Sequence, residues 1–140
     1  MKVLYFTEFG GPAVLQYGDV AEPVVHADTL LIKPHYIGLN YADIYRRQGT
    51  YHLEAHTPYI NGYEGIGKVV ACGEDVTTFA VGERVLFVDV PLANAALVAV
   101  PVAHAIRVPS DLSDQVAASI GLQGLTADFL AHDLAQNHEG

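Results

Sequence analysis

The stretch NGYEGIGKVV, residues 61–70, decides how the chain is read, because three glycines crowd into six positions just before a β-rich run. A dinucleotide-phosphate loop needs glycines at i, i+2 and i+5, after a strand and opening a helix, so that helix N–H groups face a pyrophosphate. Gly62, Gly65 and Gly67 have that spacing in reverse, and a register begun at Gly65 puts Val70 at the third position. The continuation, KVVACG, is rich in β-branched residues, so the glycines lead into a strand and the stretch is not a phosphate loop.

Working outward, residues 2–9 (KVLYFTEF) alternate enough for a strand. GGP at residues 10–12 turns the chain into a second one at residues 14–20, and together they make a loose hairpin. A third β run covers residues 29–39. Pro34 within it cannot donate to a ladder, which places it on an edge or at a bulge. NYADIYRRQG then reads as a short helix, with Asn40 as N-cap, Asp43 three residues on and Gly49 as the stop. Further strands are expected at residues 67–72, 84–88, 95–100 and 105–108. Short strands at regular spacing suggest a barrel or sandwich.

The pattern changes after Pro109. No β run remains, Ser113 is a candidate N-cap, and Leu122, Leu125, Phe129 and Leu134 fall near one face of a helix pair. The division expected is a β domain over residues 1–110 and a helical connection over 111–140, ending as though leading into another element.

Composition narrows the function classes. The chain has 140 residues, 51% of them apolar, enough for a real core. A net charge of −9 with only 7 Lys plus Arg offers no basic stripe, which argues against nucleic acid or an anionic membrane as partner. One cysteine, Cys72, excludes an intrachain disulfide framework and a Cys-rich zinc site. With no cleavage-site pattern and no membrane-length apolar run, a cytoplasmic location is expected. His52 and His56, four apart with Glu54 between, could hold a metal on a helix face. Glu54 is one position too late for the zincin pattern, and Gly49 and Pro58 leave little room for a helix. No Gly-x-Ser-x-Gly occurs, so Ser/His/Asp catalysis has no nucleophile elbow.

Four segments in order carry a family likeness: FTEFGGPAVLQYGDV, IGLNYADIYRRQGTY, GYEGIGKVVACGEDVTTFAVGERV and VPSDLSDQVAASIGLQGLTADFL. Together they resemble the amino-terminal part of the zinc-independent quinone oxidoreductases of the medium-chain dehydrogenase/reductase superfamily. The resemblance implies a mainly β, GroES-like barrel, followed in a longer parent by a Rossmann domain that binds NADPH. It also implies a homodimeric parent and a quinone or related enone as substrate.

By the same resemblance Asn40, Tyr63 and Gln123 stand where zinc-dependent relatives place their ligands. Three neutral side chains without thiolate, imidazole or carboxylate do not make a catalytic zinc site. Asn40, Asp43, Tyr45, Gln123 and Thr126 match cofactor-side positions, Tyr51 and Tyr63 match substrate-side positions, and Glu64 is expected as a buried or partly buried carboxylate orienting its neighbours. The substrate-side loop PLANAALVAV departs from the family, with Leu92, Asn94 and Ala96 where Gly, an aromatic and often Glu are expected. Two functions are compatible with these residues. One is a fragment of an NADPH-dependent quinone reductase, inactive alone; the other is a stand-alone GroES-like binding module without catalysis.

Overall fold

The computed structural model describes residues 1–52 and 57–134. Every ladder in it is antiparallel. A three-stranded sheet runs in the order β2-β1-β4, with β1 at Lys2–Phe6, β2 at Gln16–Asp19 and β4 at Tyr59–Ile60. A curled five-stranded sheet runs β7-β3-β5-β6-β8. Its strands are β3 Thr29–Ile37, β5 Glu64–Cys72, β6 Arg84–Val88, β7 Val98–Pro101 and β8 Ala105–Arg107. Two helices complete the described fold: α1 at Tyr41–Arg47 and α2 at Asp114–Asp128.

The period-two alternation of β6 shows how the core divides. Val85 and Phe87 point into a cluster with Leu30, Ile32, Val69, Val98 and Val100, while Leu86 and Val88 point to the other face, against Ile66, Ala117 and Ala118. A strand covered on both faces reads as continuous apolar sequence, which is what RVLFV is. Each such side chain contributes about 1.5–3 kcal/mol when fully buried. The small residues Ala117, Ala118 and Gly121 are the buried positions of α2, so the helix lies close on β5 and β6.

The glycines of the 61–70 stretch serve backbone approach. Gly67 pairs with Pro34, and a Cβ there would lie 2.2 Å from the Lys33 carbonyl oxygen and 2.7 Å from Pro34 Cα. Gly62 has φ +96°, and a Cβ would meet the Asn94 Oδ1 at 2.4 Å. Pro34 sits at a register shift between β3 and β5, in the half of β3 that extends beyond its β7 partners, so it interrupts no ladder on that side.

Several boundaries differ from the sequence expectation. The first strand stops at Phe6 rather than residue 9, and the second begins at Gln16, after a 3-10 turn at Pro12–Val14. The third stops at Ile37, two residues short, where Gly38 N–H turns to Glu64 O. β5 starts at Glu64, three residues early, because Gly65 and Gly67 are paired with β3 and β6 rather than preceding the strand. The strand expected at residues 95–100 begins at Val98; Ala95 bridges Val3 and Ala96 N–H bonds Lys2 O, tying that segment to the other sheet. The last strand ends at Arg107, one residue short. The expected helix pair is instead one helix that runs on into a wider, π-helical turn at Phe129–Leu134. Among the described residues no helix is long and apolar enough to cross a membrane.

α2 is clasped to the sheet at its first turn. Ser113 caps it by accepting from Val116 N–H, and Asp114 bridges Arg84 of β6 (3.1 Å) and His35 of β3 (2.9 Å). Asp114→Ala is expected to lower stability by about 1 kcal/mol, since the three side chains are partly exposed. Urea unfolding measures it, and an unchanged midpoint would show that the clasp is dispensable.

Candidate functional site

Where the end of β3, the start of α1, the start of β5 and the middle of α2 meet, the structure assembles one polar cluster. At its centre is Glu64, fully buried at 0% exposure. Its Oε1 accepts from Asn40 Nδ2 (2.8 Å) and its Oε2 from the Leu122 backbone N–H of α2 (2.6 Å). With Asn40 Nδ2 held on the carboxyl, its Oδ1 faces outward and accepts from Gln123 Nε2 (2.8 Å). Buried polar groups need such partners, because each one left unmade costs its full desolvation penalty.

Two glycines make room for that carboxyl. A Cβ on Gly38 would lie 2.4 Å from Glu64 Cδ, and one on Gly121 would lie 2.7 Å from Oε2. The chain therefore brings Glu64 into contact with β3 on one side and α2 on the other.

A second layer fixes the entry of α1. Asp43, 6% exposed, accepts from Asn40 N–H through Oδ2 (3.0 Å) and from Gly62 N–H through Oδ1 (2.9 Å). Its carbonyl accepts from Asn61 Nδ2 (3.0 Å). Asn40 begins the helix as expected, and Asp43 closes back on its N–H as in a capping box, while the Asn40 amide reaches Glu64 and Gln123. Arg46, also fully buried, donates to His52 O (3.2 Å) and has its guanidinium 4.9 Å from the centre of the Tyr63 ring.

Of the residues singled out from sequence, the structure joins Asn40, Asp43 and Gln123 in one network with Glu64, and ties Tyr63 to Arg46. Tyr45 is half exposed beside Tyr41, ring centres 6.2 Å apart, and Tyr51 is exposed. Thr126 donates to the Leu122 carbonyl one turn earlier (2.7 Å) and is not part of the network. Glu54 and His56 lie outside the described residues. In the divergent loop, Leu92 adopts φ +67° and Asn94 is 7% exposed. Arg46, Asn61, Gly38 and Gly121 were missed from sequence. An arginine in a short helix reads as surface, and the two glycines have meaning only once Glu64 is known to lie between them.

Residues 26–133 match the family model of the alcohol dehydrogenase GroES-like domain. The quinone oxidoreductase of Lama guanicoe is 36% identical over 129 residues, which are 91% of this chain and 39% of that protein. The crystal structure of Pseudomonas syringae pv. Tomato DC3000 quinone oxidoreductase matches with a TM-score of 0.93 at 34% identity, covering 99% of this chain and 43% of that one. Escherichia coli quinone oxidoreductase, solved in complex with NADPH, matches with a TM-score of 0.92 at 27% identity, covering 97% of this chain and 42% of that one. The chain thus spans about two-fifths of the length of these relatives. A mainly β, curled-sheet fold, the matched GroES-like model and these neighbours agree: the chain belongs to the alcohol dehydrogenase GroES-like domain family of the medium-chain dehydrogenase/reductase superfamily, and is similar to the corresponding part of quinone oxidoreductases.

Proposed function

We propose that this chain is the catalytic-domain portion of a cytoplasmic, homodimeric, NADPH-dependent quinone reductase. Residues 1–110 form the substrate domain, and residues 111–140 connect it to a nucleotide-binding part. The observation that carries the reading is the relay from Leu122 N–H through Glu64 and Asn40 to Gln123. Among the described residues, one N–H of Asn40, the Gln123 oxygen and its second N–H make no further hydrogen bond. That donor and acceptor set suits a carboxamide or ribose hydroxyl.

When bound, NADPH supplies the hydride, and a conjugated quinone or enone takes it with little need of an acid. Asn40 and Gln123 orient the nicotinamide end. Asp43, with both oxygens engaged, holds the start of α1 in place, and Thr126 and Tyr45 line the cofactor side. Tyr51 and Tyr63 form the apolar wall for the acceptor, each with a polar tip. Asn40, Tyr63 and Gln123 are amide, phenol and amide, and two of them already bond each other, so no step runs through zinc.

Hydride transfer needs near-contact positioning, and most of that energy comes from cofactor groups remote from the reacting carbon. The chain alone retains one wall of such a cleft. Its α2 and the turn after it also expose apolar side chains, Leu125 and Phe129 four residues apart on one face among them, fit to be covered by the nucleotide-binding part.

The test joins this chain to the part of the Escherichia coli relative that it does not cover, and follows NADPH oxidation with a small quinone. The joined protein is expected to turn over and the chain alone is not. Gln123→Ala in the joined protein is expected to lower kcat/KM by roughly 10–100-fold. Turnover by the chain alone would contradict the proposal, and so would a folded, NADPH-binding fusion without turnover.

A further inference from the structure

Among the described residues, the largest side chain wholly shut away from solvent is that of Arg46 on α1. A buried guanidinium is kept at a cost in desolvation, so the groups it holds point to what it is for.

Its contacts converge on two segments. Nε donates to His52 O (3.2 Å), the carbonyl of the residue next to Tyr51, while the guanidinium lies 4.9 Å from the centre of the Tyr63 ring. Nη1 is 3.5 Å from both Ile60 O and Asn61 Oδ1, on the stretch that leads into Tyr63. One group therefore reaches both tyrosines assigned above to the acceptor, the first through its neighbour's backbone and the second through its ring. Burial does not fix them by itself, since Tyr51 is exposed and Tyr63 only half-buried. Arginine suits the task because its N–H groups bond carbonyls in the plane of the guanidinium while its face stacks on an aromatic ring; a lysine ammonium has no such face.

We propose that Arg46 is the positioning residue of the acceptor wall. Being wholly buried, it touches neither the acceptor nor NADPH, and acts by setting where Tyr51 and Tyr63 stand. The inference rests on the quinone reductase reading. It predicts an effect on one substrate only, because the relay from Leu122 through Glu64 and Asn40 to Gln123 makes none of these contacts.

The experiment uses the joined protein and measures kcat, KM for a small quinone, and NADPH affinity in Arg46→Lys, Tyr63→Leu and the double variant. Each single change should raise the quinone KM about tenfold, as loss of a desolvated cation–π contact does, and leave NADPH affinity unchanged. The double variant should fall well short of the roughly hundredfold rise that independent effects would multiply to. A full product of the two effects would show that Arg46 does not act through Tyr63, and NADPH affinity falling in step with quinone KM would reduce Arg46 to a structural residue. A second measurement needs no arginine variant. In the 140-residue chain, the Arg46 Nε–H resonance should be protected from exchange and should move when Tyr63→Leu removes the ring; an unmoved resonance would overturn the contact. A joined protein with the unaltered residues that does not turn over sinks the reductase reading and this inference with it, whereas one that turns over with an unchanged quinone KM in both single variants sinks this inference alone.

Discussion

Glu64→Ala is expected to destabilise the chain by about 4 kcal/mol in urea unfolding, because two donors aimed at one buried carboxyl lose their acceptor together. Asn40 Nδ2 and Leu122 N–H are 2.8 and 2.6 Å from its two oxygens, and Glu64 itself is wholly buried. Stranding each donor costs about 1–3 kcal/mol. Glu64→Gln separates this effect from simple loss of volume: its amide keeps one acceptor and turns N–H groups toward the other donor, so about half the loss should remain. A fall of less than about 1 kcal/mol in the alanine variant would show that water or local rearrangement satisfies both donors, and that Glu64 is not what holds α2 to Asn40.

Gly67→Ala should cost about 3 kcal/mol or more, the upper end of overpacking penalties, because the atoms in the way are backbone. The new Cβ would lie 2.2 Å from the Lys33 carbonyl oxygen and 2.7 Å from the Lys33 carbonyl carbon and Pro34 Cα. Relief requires β3 and β5 to part at the bulge, and β5 is central to the five-stranded sheet. Gly11→Ala is the internal comparison. Nothing lies within 4 Å of its added Cβ, so a change within about 0.5 kcal/mol is expected. Equal stability of the two variants in urea would mean that the glycine at 67 is not required by close approach.

The contrast between these positions shows what the sequence makes legible. Alternation and β-branching located each strand of the five-stranded sheet, and Ser113, Gly49 and Asp43 marked helix ends through local chemistry that a short window contains. Pro34 was placed on an edge or at a bulge for the same reason, since its missing N–H is a local fact, and it lies at a register shift between β3 and β5. Strand limits shifted where the partner was distant, as at Ala95, which bridges Val3 of the other sheet. The site follows the same division. Asn40 and Gln123 were singled out by resemblance, but the bond between them joins residues 83 apart, and Leu122 N–H reaches Glu64 across 58. Neither periodicity nor propensity carries such information. Gly121 reads as a weak point in a helix, whereas in the fold it is the clearance that lets a carboxyl reach the helix backbone.

Whether Asn40 and Gln123 face the nicotinamide end of a bound cofactor is tested most directly by a crystal structure of the joined protein with NADPH. The predicted result has the carboxamide or nicotinamide ribose within hydrogen-bond distance of Asn40 or Gln123, with Glu64 still bonded to Asn40 and Leu122. NADPH bound with its nicotinamide on another surface, leaving Asn40 and Gln123 bonded only to each other and to Glu64, would contradict it.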